Sequence, residues 1–279
     1  MAQYNAHRHV RGWIQSLVRR DKEVSTAAIA EQILHAATHG PFFENQARDV
    51  WISWTALQER GLISPSGEMS DIVSRLLTRH SGAEDQRALR NELMMLPAET
   101  QYDEFTRSFI RIHITSNVLN GRNVLAGYKG ASIHPIYIDT ESSPFFLRNG
   151  TKTALLSLFD VRSRQVLLWR IDEMSPAEIE DVKDILGTLA RTREFMSYGH
   201  EDFFARFHVR DIQHDKCKSL KNAAAAIGFN LSKKETCSNW TSNNLREDQI
   251  HYSAMDSVVL HYVHVGHTVD WLNYPDGAK

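Results

Sequence analysis

The sequence predicts a mixed α/β protein in which a helical N-terminal region precedes a β-sheet flanked by helices. Three observations carry that prediction. Apolar residues recur at helical spacing through the first 120 or so positions, short apolar runs of strand length follow, and these runs come first in meander and then alternate with helical segments. At 279 residues the chain can form one large or two modest domains, each burying its own core.

Taken in order, STAAIAEQILHAATHG reads as a helix with Ser25 or Thr26 at its N-cap, an apolar stripe of Ile29, Ile33, Leu34 and Ala37, and Gly40 as the stop. VWISWTALQERGLI and MSDIVSRLLTRH repeat the pattern on either side of an SPSG turn. EFTRSFIRIHITSNVL predicts a further helix in spite of its β-branched run. The expected division is therefore a helical domain over residues 1–120, suited to docking or interaction with protein partners, a linker over 121–132, and an α/β domain over 133–279. The linker is read from the glycines and asparagines of NGRNVLAGYKGAS.

HPIYIDTE, TALLSLFDV and QVLLWRID read as strands, the last two joined as a hairpin or meander. SPAEIEDVKDILGTLA announces a helix: Ser175 as N-cap, Pro176 in the first turn, Glu178 closing a capping box, and Ile179, Val182, Leu186 and Leu189 as the buried stripe. FMSYG and VRDIQ follow as strands, SLKNAAAAIGF as a helix, and NLREDQIHYSAMDSVVLHYV as a long final helix.

Composition excludes several classes of function. A formal charge of −2 and a pI near 6.7 give no global field to attract nucleic acid or anionic membrane, so a polyanion site has to be local. Two isolated cysteines, Cys217 and Cys237, make no disulfide framework and lack the close ligand pairs of a zinc site. No apolar run reaches the length of a membrane span, and the N-terminus has no signal-like core, so the expectation is a cytoplasmic or nuclear protein without a membrane partner.

The chemistry gathers at two places. Asp139 and Glu141 follow the strand residues Ile136, Tyr137 and Ile138, and alternation along a strand aims both carboxylates to one side. Two like charges held together repel unless a cation lies between them. Tyr252 and Asp256 stand four positions apart on the final helix and share a face among small and apolar neighbours. Clustered carboxylates are what hard Mg²⁺ or Mn²⁺ ions require.

The order of these features resembles the DEDDy branch of the 3′–5′ exonucleases, the DnaQ-like group with an RNase H-like fold that includes RNase D and the Werner-type enzymes. Its first motif, D-x-E, is matched by Asp139 and Glu141. Its last, Y-x-x-x-D behind a glutamine, is matched by Gln249, Tyr252, Ala254 and Asp256. Between them lie Ser219-Leu220, Lys234 and Ser238-Asn239-Trp240, each in the family's order, so the resemblance covers roughly residues 131 to 275. It implies an RNase H-like mixed sheet, two Mg²⁺ or Mn²⁺ ions held by Asp139, Glu141, Asp202 and Asp256, and Tyr252 orienting the attacking water. It also implies a single-stranded nucleic acid substrate, RNA rather than DNA, shortened from its 3′ end to nucleoside monophosphates. Two positions depart from the pattern. The second-motif aspartate is expected about five residues after Gly199-His200, where Ala205 stands; either Asp202 serves one turn earlier or the ligand has been lost. Arg246 replaces a helix-capping serine or threonine of the family.

Candidate nucleic-acid contacts are Phe145 and Phe146 close behind the D-x-E, His200 and Trp240 in the motif segments, and Arg206, Arg210, Lys218 and Lys234 from a locally basic stretch. The stretch is equally readable as a solvated helix face, Phe203, Phe204 and Phe207 as core, and His261, His264 and His267 as surface or groove residues. A second reading of the whole domain is an exonuclease-like fold that has lost catalysis and serves as an RNA-binding scaffold.

Overall fold

The computed structural model describes residues 6–20, 24–37, 44–78, 83–96, 109–128, 133–142, 152–214, 217 and 219–274. The chain divides into two compact units. The first takes Met1–Thr100 and also Lys233–Asp248; the second takes Gln101–Ser143, Lys152–Ser232 and Gln249–Lys279. The expected division at residues 121–132 is thus replaced by an interleaved one, in which a stretch of the exonuclease-like sequence belongs to the helical unit.

That unit contains α1 (Ala6–Arg20), α2 (Thr26–Ala37), α3 (Glu44–Glu59), α4 (Gly67–Thr78) and α5 (Ala83–Met95). Helix α2 is buried on nearly every side, which its run of alanines permits. Ser25 caps it, its Oγ accepting from the Ala28 N–H at 3.2 Å, as the sequence predicts. The Ser25 N–H donates to the Lys234 carbonyl at 3.0 Å, and the Gln32 amide donates to the Cys237 carbonyl at 2.9 Å. The same segment supplies a buried ionic triad: Arg246 meets Glu31 of α2 at 2.6 Å and Glu235 at 2.6 Å. Burial lowers the affinity of Arg246 for its proton, yet the two carboxylates outweigh that and hold it above its ordinary value; burial raises Glu31 in spite of Arg246.

The second unit is a six-stranded sheet with helices packed on it. Its strands are β1 (Arg111–Thr115), β2 (Ile136–Ser142), β3 (Thr153–Asp160), β4 (Gln165–Arg170), β5 (Phe195–Ser197) and β6 (Val209–Asp211), in the order β1-β4-β3-β2-β5-β6. β2, β3 and β4 form the expected antiparallel meander, while β1, β5 and β6 join parallel to their neighbours. Its helices are α6 (Val118–Tyr128), α7 (Pro176–Ala190), α8 (Leu220–Ala226) and α9 (Glu247–Val265), whose first two residues lie in the helical unit. One core lies on the face of α6 and α7, where Ile136, Ile138, Leu156, Leu158, Leu167 and Trp169 meet Leu125, Val182, Leu186 and Leu189. The capping box of α7 forms as predicted, with Ser175 and Glu178 bonding each other's backbone N–H.

Two elements differ from the sequence expectation. Residues 111–115, expected in a helix, are strand β1, because Ile112, Ile114 and Thr115 favour extended backbone once β4 offers a parallel partner. Residues 121–128 of the expected linker are helical. Asn117 caps α6 through the Asn120 N–H at 3.0 Å, and Gly121 is there for close approach: a Cβ on it would stand 2.3 Å from the indole of Trp169.

Candidate metal centre

Strand alternation gives β2 two faces. Ile136 and Ile138 enter the core with α6 and α7, so Tyr137, Asp139 and Glu141 point the other way, towards α9. Serines seat that helix on the sheet. Ser157, the cross-strand partner of Asp139, donates to the Ser253 carbonyl at 3.1 Å and lies 2.9 Å from the Ser257 hydroxyl, which in turn donates to the Ala254 carbonyl. Ser253 and Ser257 each follow directly a residue of the Tyr252/Asp256 pair, so the small side chains that permit close packing also place the acid.

At its start β2 is held by Tyr137, whose hydroxyl lies 3.0 Å from His261 Nδ1 and 2.7 Å from His264 Nδ1. The sequence reading left His261 at the surface or in a groove; it is 0 % exposed. Burial pushes its imidazole down to about 3, with His134, His264 and His267 adding to the shift, and Tyr274 faces its other nitrogen at 3.0 Å. From Tyr137 to Glu141 the strand therefore runs back along α9, with His261 and His264 at its start and Asp256 at its end.

There the carboxylates of Asp139, Glu141 and Asp256 converge, one oxygen of each lying within 4.8 Å of the others. Glu141 is 7 % and Asp256 1 % exposed, and Tyr252, one turn before Asp256, is buried as well. Three acids placed together repel one another, the two buried ones also lose hydration, and a hard divalent cation or a proton relieves both costs. The donor set, oxygen only and anionic, fits Mg²⁺ or Mn²⁺ rather than a soft metal.

The remaining predicted site residues fall elsewhere. Asp202 opens a 3₁₀ turn (Asp202–Phe204) with its side chain 95 % exposed, paired to His200 at 3.1 Å, and lies outside the three-acid group. Arg206 lies over the Phe207 ring and pairs with Glu180 and Asp184 of α7, which absorbs its charge. Arg210 is exposed on β6, and Lys234 is half-buried in the helical unit. Trp240 is buried and shows no ring face to a base, a correction to its expected contact with nucleic acid. Phe204 is core, with Phe203 and Phe207 packed against it. Phe145, Phe146 and Lys218 lie outside the described residues.

Residues 209–265 match a family model described as 3′–5′ exonuclease, a segment that includes Tyr252 and Asp256. Over that stretch, about a fifth of its length, the chain is thus similar to 3′–5′ exonucleases. Solved structures similar to it include the EXO domain of Nibbler from Aedes aegypti, with a TM-score of 0.45 and 14% identity over 56% of this chain and 86% of that one. RNase D from Trypanosoma brucei, in complex with RNA U12, gives a TM-score of 0.47 and 11% identity over 60% of this chain and 65% of that one. The catalytic core of RRP6 from the same organism gives a TM-score of 0.46 and 17% identity over 65% of this chain and 53% of that one. The matched region thus spans less than two thirds of the RNase D and RRP6 chains. No curated protein sequence matches the chain. Among the described residues no helix is long and apolar enough to cross a membrane.

Proposed function

We propose that the protein is a metal-dependent 3′–5′ exonuclease that removes nucleoside monophosphates one at a time from the 3′ end of single-stranded RNA. The convergence of Asp139, Glu141 and Asp256, two of them buried, carries the reading. Those three carboxylates hold Mg²⁺ or Mn²⁺, and the resemblance implies a pair of ions. A bound ion of this kind polarises a phosphoryl oxygen and lowers the pKa of water to the range where hydroxide forms near neutrality. The chain's own part is to hold the carboxylates together, and to orient the attacking water through the Tyr252 hydroxyl. RNA is preferred to DNA because relatives that join a small exonuclease domain to a helical region are often RNA-processing proteins, an argument from analogy.

A 5′-labelled single-stranded RNA incubated with Mn²⁺ tests this directly. The wild type is expected to give a ladder shortening from the 3′ end, lost in Asp139→Ala and Asp256→Ala, with the same oligomer in DNA degraded more slowly. Asp202→Ala in the same series decides whether that exposed acid fills the second motif. An RNA that is retarded on a gel but left intact by the wild type would replace this reading with the binding scaffold.

A further inference from the structure

Thr140 stands between Asp139 and Glu141 and, by strand alternation, projects from the opposite face of β2. Its hydroxyl donates to the carboxylate of Glu201 in the loop after β5. We propose that Glu201 is a positioning residue of the metal centre: by holding Thr140 it fixes the end of β2 from which two of the three carboxylates project. The inference rests on the exonuclease reading above and extends it to a residue that no motif singles out.

The sheet explains why such an anchor is needed. On the β5 side, β2 is paired only at Ile136 and Tyr137, so the stretch that carries Asp139 and Glu141 runs past its parallel neighbour. On the β3 side the ladder continues, but its register shifts between Glu141 and Ser142. A strand end supported along one edge and followed by a bulge has freedom to twist. The Thr140–Glu201 hydrogen bond spans the side where the ladder stops.

Glu201 is itself held in place. Gly199 takes a φ of +92°, a left-handed conformation that favours glycine, and so turns the chain after β5. Its N–H donates to Asp211 at 2.8 Å and its carbonyl accepts from the Ser197 hydroxyl at 2.8 Å. The Glu201 carbonyl accepts from the Phe204 N–H at 2.9 Å, which ties Glu201 to the 3₁₀ turn that follows it. Phe204 is fully buried and anchors that turn, Glu201 is half-buried, and Asp202 faces solvent. Glu201 is outside the acids whose oxygens converge, which makes it a support of the ligands and not one of them.

The test is calorimetric titration of Mn²⁺ into the full chain, paired with kcat and KM on single-stranded RNA. Glu201→Ala and Thr140→Val are each expected to weaken Mn²⁺ binding by about 10-fold, as loss of an outer partner of a metal ligand does, and to lower kcat while leaving KM for RNA unchanged. The double variant should be no worse than either single one, because both remove one hydrogen bond. Glu201→Gln and Thr140→Ser keep acceptor and donor and should restore wild-type behaviour. Metal-free melting within about 2 °C of wild type checks that each variant folds. A Glu201→Gln as damaged as Glu201→Ala would overturn the positioning role, since the charge and not the hydrogen bond would then matter. Wild-type affinity in Glu201→Ala would overturn it equally. A wild type that binds no Mn²⁺ would overturn the exonuclease reading itself, a result distinct from either.

Discussion

His261 shows how one residue can look ordinary in the sequence and be committed in the structure. It sits on α9 beyond the acid cluster, fully buried, with its two ring nitrogens facing the hydroxyls of Tyr137 and Tyr274. Its pKa falls from 6.5 to about 3, chiefly through burial. Between those values the unfolded chain binds a proton that the folded chain refuses, so stability falls as pH drops, by at most about 1.4 kcal/mol per pH unit from this group. We expect His261→Gln to flatten the dependence of urea-unfolding free energy on pH across that window. An unchanged slope would place the titration elsewhere. Arg246 makes the same point. In sequence it reads as a missing helix cap; in structure it is the buried cation between Glu31 and Glu235, two acids that lie far apart in the chain and carry no local signature.

At the scale of elements, Gly121 separates two roles that glycine plays. On an open helix surface, Gly→Ala adds about 0.5–1 kcal/mol of stability by reducing backbone freedom. Here the new methyl would meet the buried indole of Trp169, so we expect Gly121→Ala to destabilise, with an overpacking cost of about 1–3 kcal/mol outweighing the helical gain. A net gain on urea unfolding would show that the helix has room to move. The same glycine explains what was legible. Elements specified by local chemistry were readable: α2 from its Ser25 cap, α7 from its capping box, the β2–β3–β4 meander from short apolar runs, and α9 from its motif. β1 and α6 were not, because one takes its identity from a parallel strand more than fifty residues away and the other from close packing on Trp169. Of the site, Asp139, Glu141, Tyr252 and Asp256 were legible because the spacings 2 and 4 are the periods of a strand and a helical turn. Ser157, Thr140 and Glu201 were not, since their meaning depends on which strands and loops become neighbours.

For the molecule as a whole, a net charge of −2 offers no general attraction to a polyanion. The proposed function therefore rests on one local feature, the three carboxylates that the sheet and its final helix bring together. Their mutual repulsion is a cost to folding that a bound divalent ion would remove. The most direct measurement is thermal unfolding of the full chain with and without Mn²⁺, for the wild type and for Asp256→Asn. The wild type should gain about 2.7 kcal/mol when the ion is present at 100 times its dissociation constant. Asp256→Asn, relieved of one charge, should melt higher than the metal-free wild type and respond little to Mn²⁺. A wild-type melting point that Mn²⁺ leaves unmoved, or an Asp256→Asn that Mn²⁺ stabilises as much as the wild type, would contradict the assignment of these acids to a metal.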